Sequence, residues 1–192
     1  MYSRLRLAQK YLHYYLKGSN GKGHGIHSPF VFDFIQSVLR DGHPYEPYTK
    51  VNGLRAQLLK NQKILSMEDF GAGSAFHSSS HRSIAEIARR ASKSRKMGQL
   101  LFRVSHYYRP KIMIELGTSL GLSSAYLSLG NPDSKMITIE GSAEIAREAA
   151  GNFESLGLKN IKLINARFDD ALAGIAARFQ SQAANEKPDL GF

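Results

Sequence analysis

The chain has 192 residues, contains neither cysteine nor tryptophan, and carries a formal net charge of +10. The lack of Cys excludes a disulfide scaffold, a Cys-ligated zinc or iron–sulfur site and thiol catalysis, while 42% hydrophobic and 22% charged residues exclude wholesale disorder. No run approaches the roughly 18 apolar residues of a membrane span, and the N-terminus MYSRLRLAQKYLHYYLK lacks the apolar centre of a secretory signal, so a soluble, cytoplasmic protein is expected.

The charge is uneven. Residues 1–110 hold 18 Lys and Arg against 6 Asp and Glu, whereas residues 111–192 hold 8 against 10. Such asymmetry marks either a solvated basic face or a surface for nucleic acid or anionic membrane. The arginines form no long block, which favours the first reading.

In chain order, residues 2–17 read as a helix with Leu5, Ala8, Leu12 and Tyr15 on one stripe. Tyr11, Tyr14 and Tyr15 lie among Arg4, Arg6, Lys10 and Lys17, a pattern of helix packing or of a nucleic-acid or membrane interface. Residues 18–25 (GSNGKGHG) form a loop, flanked by His24 and His27 as candidate substrate contacts. This loop is no phosphate-binding P-loop, because Lys22 is followed by Gly23 and no strand precedes it. Ser28 is a candidate cap for a helix running to Arg40, with Pro29 in its first turn. A turn region at 41–48 and a helix at 51–60 follow.

Residues 64–80 read as a Gly- and Ser-rich loop. Asp69-Phe70-Gly71-Ala72-Gly73-Ser74 there is a structured turn or a ligand loop, and His77 and His81 have metal-ligand spacing but no third ligand nearby. Helices are expected at 82–91 and 96–108, the latter with Leu100, Leu101, Val104 and Tyr108 as its stripe and Pro110 as its stop.

At Lys111 the pattern changes. Short apolar runs at 112–116, 136–140 and 160–164 alternate with helical segments at 122–129, 142–156 and 170–183, and 188–192 begins a fourth run. Ser142 is the expected cap of the second helix, on which Glu144, Glu148 and Glu154 form a solvated face. Strands alternating with such helices mean a doubly wound, Rossmann-like parallel sheet of the α/β class. It is incomplete, with three strands and the start of a fourth, and it follows a helical N-terminal region. The expected division is a basic helical leader on the substrate side at 1–110 and the first half of a ligand-binding sheet at 111–192.

The strongest motif is Glu115-Leu116-Gly117-Thr118-Ser119-Leu120-Gly121-Leu122-Ser123, in a strand–turn–helix context. Ligands of such sheets bind at the C-terminal strand ends. Gly117 permits the turn, Gly121 a close helix approach, and Glu140 ends the next strand, where a carboxylate accepts hydrogen bonds from both hydroxyls of a ribose. A dinucleotide site would want glycine at Ser119, and Glu115 repels phosphates but suits a cation. S-adenosylmethionine (SAM), with its ribose and ammonium group and no phosphate, fits best; a nucleotide-dependent oxidoreductase or a turn without ligand are the other readings.

Residues 96–192 resemble class I SAM-dependent methyltransferases, most closely the catechol-type O-methyltransferase branch, through Gly98-Gln99, ELGTSLGLS (115–123), TIEG (138–141) and NARFDD (165–170). Residues 26–117 resemble the leader of uncharacterised bacterial members. The resemblance implies that Glu115, Gly117, Thr118, Ser119 and Gly121 line the methionine part of SAM and that Ser123 meets its carboxylate. Glu140 and Gly141 would hold the ribose, and Ala166, Arg167 and Phe168 would flank the adenine; Arg167 departs from the Asp, Asn or Ser of many relatives. It also implies O-methyl transfer to a small molecule, with any base and divalent-metal ligands beyond residue 192. On this reading the chain is a truncated fragment that binds SAM without turnover and can self-associate through an open sheet edge. The alternative function is a basic module for RNA or an anionic surface on an α/β scaffold.

Overall fold

The computed structural model describes residues 29–66 and 81–185, with side chains as far as residue 177. The expectations for residues 2–17, 18–25, 69–74 and 188–192, and for His27, Ser28 and His77, lie outside the described residues. The chain divides into two units, Met1–His43 and Pro44–Phe192. In the first, helix α1 (Pro29–Phe34) continues into a π-helical turn at Ile35–Leu39, where the Arg40 N–H donates to the Ile35 carbonyl at 3.0 Å. A single wide turn leaves no mark on hydrophobic spacing, so the sequence read one α-helix here.

The second unit opens with α2 (Pro47–Leu58), which buries Tyr48, Val51, Leu54 and Leu58. It starts before the expected Val51 because Pro47 begins the helix rather than ending a turn. Two short antiparallel strands follow, β1 (Ile64–Ser66) and β2 (His81–Ser83), where a loop and the start of a helix were expected. Leu65 is buried, and the Ser83 hydroxyl accepts a hydrogen bond from the Glu86 N–H at 3.2 Å. That serine caps α3 (Ile84–Arg90), so residues 82 and 83 stay extended. Ser83 and Glu86 have the spacing of a capping box, a signal available in the sequence.

Helix α4 (Arg95–Tyr108) ends at Arg109, in the left-handed region at φ 45°, just before Pro110. Its buried face is Gly98, Phe102 and Ser105, whereas Leu100, Leu101 and Val104 are half-buried and Tyr108 is exposed. The expected stripe is corrected because α4 lies against α5 (Leu122–Gly130) through small residues. A Cβ on Gly98 would run into the Tyr126 ring, and one on Gly130 into the Phe102 carbonyl.

Strands β3 (Ile112–Leu116), β4 (Lys135–Glu140) and β5 (Ile161–Asn165) form a parallel sheet in the order β3-β4-β5. The connections are α5 and α6 (Ala143–Ser155), and α7 (Phe168–Asn185) follows β5. In register, Leu116 lies beside Ile139 and Ile139 beside Ile164. Side chains alternate along each strand. One face presents Ile137, Ile139 and Ile164 to Ala171 and Ile175 of α7. The opposite face carries Glu115 and Thr138 toward α5. Helices thus cover both faces of a Rossmann-like sheet, as expected from the sequence. A second, larger core joins α2, α3, α4 and α5 around Val51, Ile84, Phe102 and Tyr126.

Candidate functional site

The turn between β3 and α5 needs three left-handed residues: Gly117 at φ 88°, Ser119 at 48° and Gly121 at 79°. Two are glycines, which tolerate this region freely. Ser119 adopts it at a cost of about 1–2 kcal/mol, and its backbone N–H donates to Oε2 of Glu140 at 2.8 Å. The requirement at Gly121 is double, since a Cβ there would also strike the Phe153 ring of α6. The nearest approach at Gly121 is to that ring. Gly117 and Thr118 both donate their N–H to the Ile139 carbonyl, at 2.9 and 3.1 Å. From α6, the Asn152 amide donates to the Leu120 carbonyl at 2.9 Å.

Beneath the turn lies a buried polar chain. The Thr118 and Thr138 hydroxyls are 2.7 Å apart, and Thr138 donates to Oε2 of Glu115 at 2.9 Å. The Ser124 hydroxyl donates to the same oxygen. Glu115 is therefore first an internal anchor between sheet and α5; Oε1 accepts no hydrogen bond among the described residues. Thr118, at 1% exposure, faces Thr138 and offers a ligand only its backbone.

Glu140 is the hub. Oε2 holds the Ser119 N–H, Oε1 accepts from the Ser142 N–H at 3.1 Å, and each oxygen keeps a further lone pair for a ligand donor. Ser142 occupies the expected cap position of α6 but makes no side-chain capping bond. The Asn165 amide donates to the carbonyls of Glu140 and Gly141, at 2.8 and 3.0 Å, tying the ends of β4 and β5 together. Ser123 lies in the first turn of α5. Its cap residue, Gly121, supplies no side-chain acceptor, so the orphan N–H groups of that turn remain available to an anion.

After β5, Ala166 packs into the α7 core and Arg167 is exposed. Phe168 opens α7, and its Cζ lies 3.9 Å from the position a Cβ on Gly117 would take. Its ring is thus the part of this segment that reaches the glycine turn.

Beside Glu140 a cleft is lined by Ser119, Ile145 of α6, Arg82 of β2, and Glu86 and Arg90 of α3. The Arg82 Nε and Ser119 Oγ are buried with no hydrogen-bond partner among the described residues. Orphaned buried polar atoms are unusual, and two of them stand where a polyhydroxyl ligand of Glu140 would lie. Sequence reasoning missed Arg82, Asn152 and Asn165. A threonine within the apolar run MITIE was the available sign of the polar chain. The solvated face assigned to α6 needs correction. Glu144 accepts from the Ser66 N–H at 2.6 Å and Glu148 pairs with Lys63, so both anchor the hairpin, while Glu154 is exposed. No group of three His, Asp or Glu suited to a metal occurs among the described residues, and none of their helices is long and apolar enough to cross a membrane.

No protein-family model and no curated protein matches the sequence. Among solved structures, the chain is similar to an SAH-bound methyltransferase of Podospora anserina, with 15% identity, 77% of this chain and 53% of that one covered, and a TM-score of 0.47. An O-methyltransferase of Bacillus cereus in complex with SAH gives 19%, 82%, 56% and 0.46. The O-methyltransferase TomG of Streptomyces achromogenes, in complex with SAM, gives 23%, 56%, 47% and 0.44. The chain spans about half the length of these structures.

Proposed function

We propose that this chain is a class I SAM-dependent methyltransferase unit of the O-methyl-transferring kind, acting toward a small molecule, and that the 192-residue chain binds SAM without turning it over. Residues 111–192 would be the cofactor part and residues 1–110 the leader on the substrate side, to which the Arg82 wall of the cleft belongs. One observation carries the reading: Glu140 closes the left-handed turn at Ser119 and keeps acceptor capacity beside a cleft in which the buried Arg82 Nε and Ser119 Oγ have no partner among the described residues. In this reading Glu140 takes the ribose hydroxyls, Oε1 of Glu115 faces the ammonium group, and the first-turn N–H groups of α5, Ser123 included, take the carboxylate. Gly117 to Gly121 would line the methionine part. Gly141 lies against the ribose, and Ala166, Arg167 and Phe168 flank the adenine, with Phe168 the nearest of them to the turn. When bound, SAM supplies a sulfonium-activated methyl group, and the protein's task is to orient it.

The lack of turnover is supported by β3. Ile112, Ile114 and Leu116 are exposed on the strand that enters the turn, and no strand pairs with its outer edge among the described residues. Equilibrium dialysis against labelled SAM and labelled NAD tests the reading. Retention of SAM alone, abolished by Glu140→Ala, is expected, and retention of NAD or of neither overturns it. Methyl transfer to a panel of catechols and phenols by this chain would overturn the lack of turnover.

A further inference from the structure

Arg82 occupies an inward-facing position on β2. It lies in register with Leu65 of β1, and residues directly opposite on antiparallel strands share a face. Leu65 is buried, so Arg82 stands on the face that the hairpin buries and is itself half-buried. Its Nε is buried with no hydrogen-bond partner among the described residues, and no carboxylate among them forms an ion pair with its guanidinium. Arginine is rarely placed inward unless it is paired, and a buried donor left unmet is destabilising.

The hairpin that carries Arg82 is fixed from two sides. The Ile84 N–H donates to the Lys63 carbonyl at 2.9 Å and the Ala85 N–H to the Asn61 carbonyl at 2.8 Å. On α6, Glu144 accepts the Ser66 N–H at 2.6 Å and Glu148 pairs with Lys63. Helix α6 begins just after Glu140, so the same bonds set β2 beside the end of β4. Arg82 and Glu140 accordingly line one cleft of about 190 Å³. Glu86, the second acid of that cleft, pairs with Arg90 at 3.4 Å. The cleft thus offers carboxylate lone pairs from β4 and an unmet N–H from β2. A ligand group that meets both must accept from Nε–H and donate to a carboxylate. A hydroxyl does both. An ammonium has no lone pair to offer Arg82, and an ionised carboxylate or phosphate has no proton to offer Glu140 and would meet its charge.

We propose that Arg82 is a ligand-contact residue: its Nε–H donates to a ribose hydroxyl whose own proton goes to Glu140. The inference rests on the SAM reading and deepens it, because the ribose is then held from the leader region as well as from the sheet. The hydrogen bond at Nε, and not the positive charge, is what the ligand uses.

The test is calorimetric titration of the full chain with SAH and with its 2′-deoxy and 3′-deoxy forms. Arg82→Met removes the donor at similar side-chain length, whereas Arg82→Gln keeps an amide N–H as many bonds from the backbone as Nε. Arg82→Met should weaken SAH binding about 10-fold, and Arg82→Gln should restore most of it. For one of the two deoxy forms the parent chain and Arg82→Met should bind equally, because the hydroxyl that Arg82 meets is gone. The urea midpoint of Arg82→Met should be unchanged or raised, since an unpaired, half-buried charge is removed. Parent-like SAH binding by Arg82→Met would overturn the proposal. So would a lowered midpoint together with the same loss for SAH and both deoxy forms, which would make Arg82 a structural residue. If the parent chain itself binds no SAH, the SAM reading fails and this inference fails with it.

Discussion

The carboxylate of Glu140 accepts the backbone N–H of Ser119 at 2.8 Å, across the gap between the end of β4 and the turn after β3. The acid proposed to take the ribose thus also holds in place the one non-glycine residue of the turn that is left-handed. Replacement by Gln exchanges one acceptor for a donor while the Ser119 and Ser142 N–H groups both still point at it. Glu140→Gln should lose about 1–3 kcal/mol in urea unfolding and at least ~10-fold in SAM affinity, equivalent to about 1.4 kcal/mol. A variant that loses SAM affinity without loss of stability would show that the two roles are separable.

The two turn glycines should behave differently. At Gly117 only φ forbids a side chain, because the nearest atom to a new Cβ is 3.9 Å away; Gly117→Ala should cost about 1–2 kcal/mol. At Gly121 the Phe153 clash adds to the same φ penalty, giving about 2–4 kcal/mol. Phe153→Leu in the Gly121→Ala background should recover part of the clash and none of the φ cost. Denaturant midpoints of the three variants check this, and equal losses at the two glycines would contradict the geometry.

The sheet was legible because β3, β4 and β5 are apolar runs of five or six residues separated by caps and glycines, so periodicity, length and turn chemistry agreed. The turn was legible for the same reason. What stayed hidden depends on distances that no local pattern carries. Glu115 and Glu140 each read as an acid awaiting a ligand, yet both are bonded by groups 9 to 23 residues away. Glu144 and Glu148 looked solvated because their partners, Ser66 and Lys63, lie 78 and 85 positions off. The hairpin escaped because three-residue strands have too few alternations to show a period, and α4 because its buried face is made of small residues that hydrophobicity ranks low.

Tyr126 links the helices electrostatically. Its hydroxyl donates to Asn52 of α2 at 3.1 Å. Burial pushes its pKa above the ordinary 10.0, partly opposed by the Arg55 and Arg95 charges. The unfolded chain therefore loses this proton first. Stability from Tyr126 is complete below pH 10, declines as pH rises above it, and levels off once the folded phenol has also titrated. Tyr126→Phe should cost about 1 kcal/mol at neutral pH and flatten the alkaline slope. Thermal melts from pH 8 to beyond about pH 11 compare the two chains, and parallel curves would exclude Tyr126 as the source.

Strand β3 bears directly on association. Its face carries Ile112, Ile114 and Leu116 at 40%, 44% and 50% exposure, while α7 covers only the β4 and β5 part of that surface. An unpaired strand edge with apolar flanks is a template for another chain; among the described residues no strand pairs with the outer edge of β3, and the strand has no Lys or Pro between Ile112 and Leu116 to discourage pairing. An antiparallel β3–β3 contact centred on Ile114 would set Ile112 against Leu116 of the second copy and join the two apolar stripes. Sedimentation velocity should then show concentration-dependent association. Ile114→Lys should shift it toward monomer at a cost within about 0.5 kcal/mol of stability, because the site is exposed. Lys162→Ala, on the same face but on β5, should leave association unchanged. If Ile114→Lys associates as strongly as the parent chain, the contact lies elsewhere.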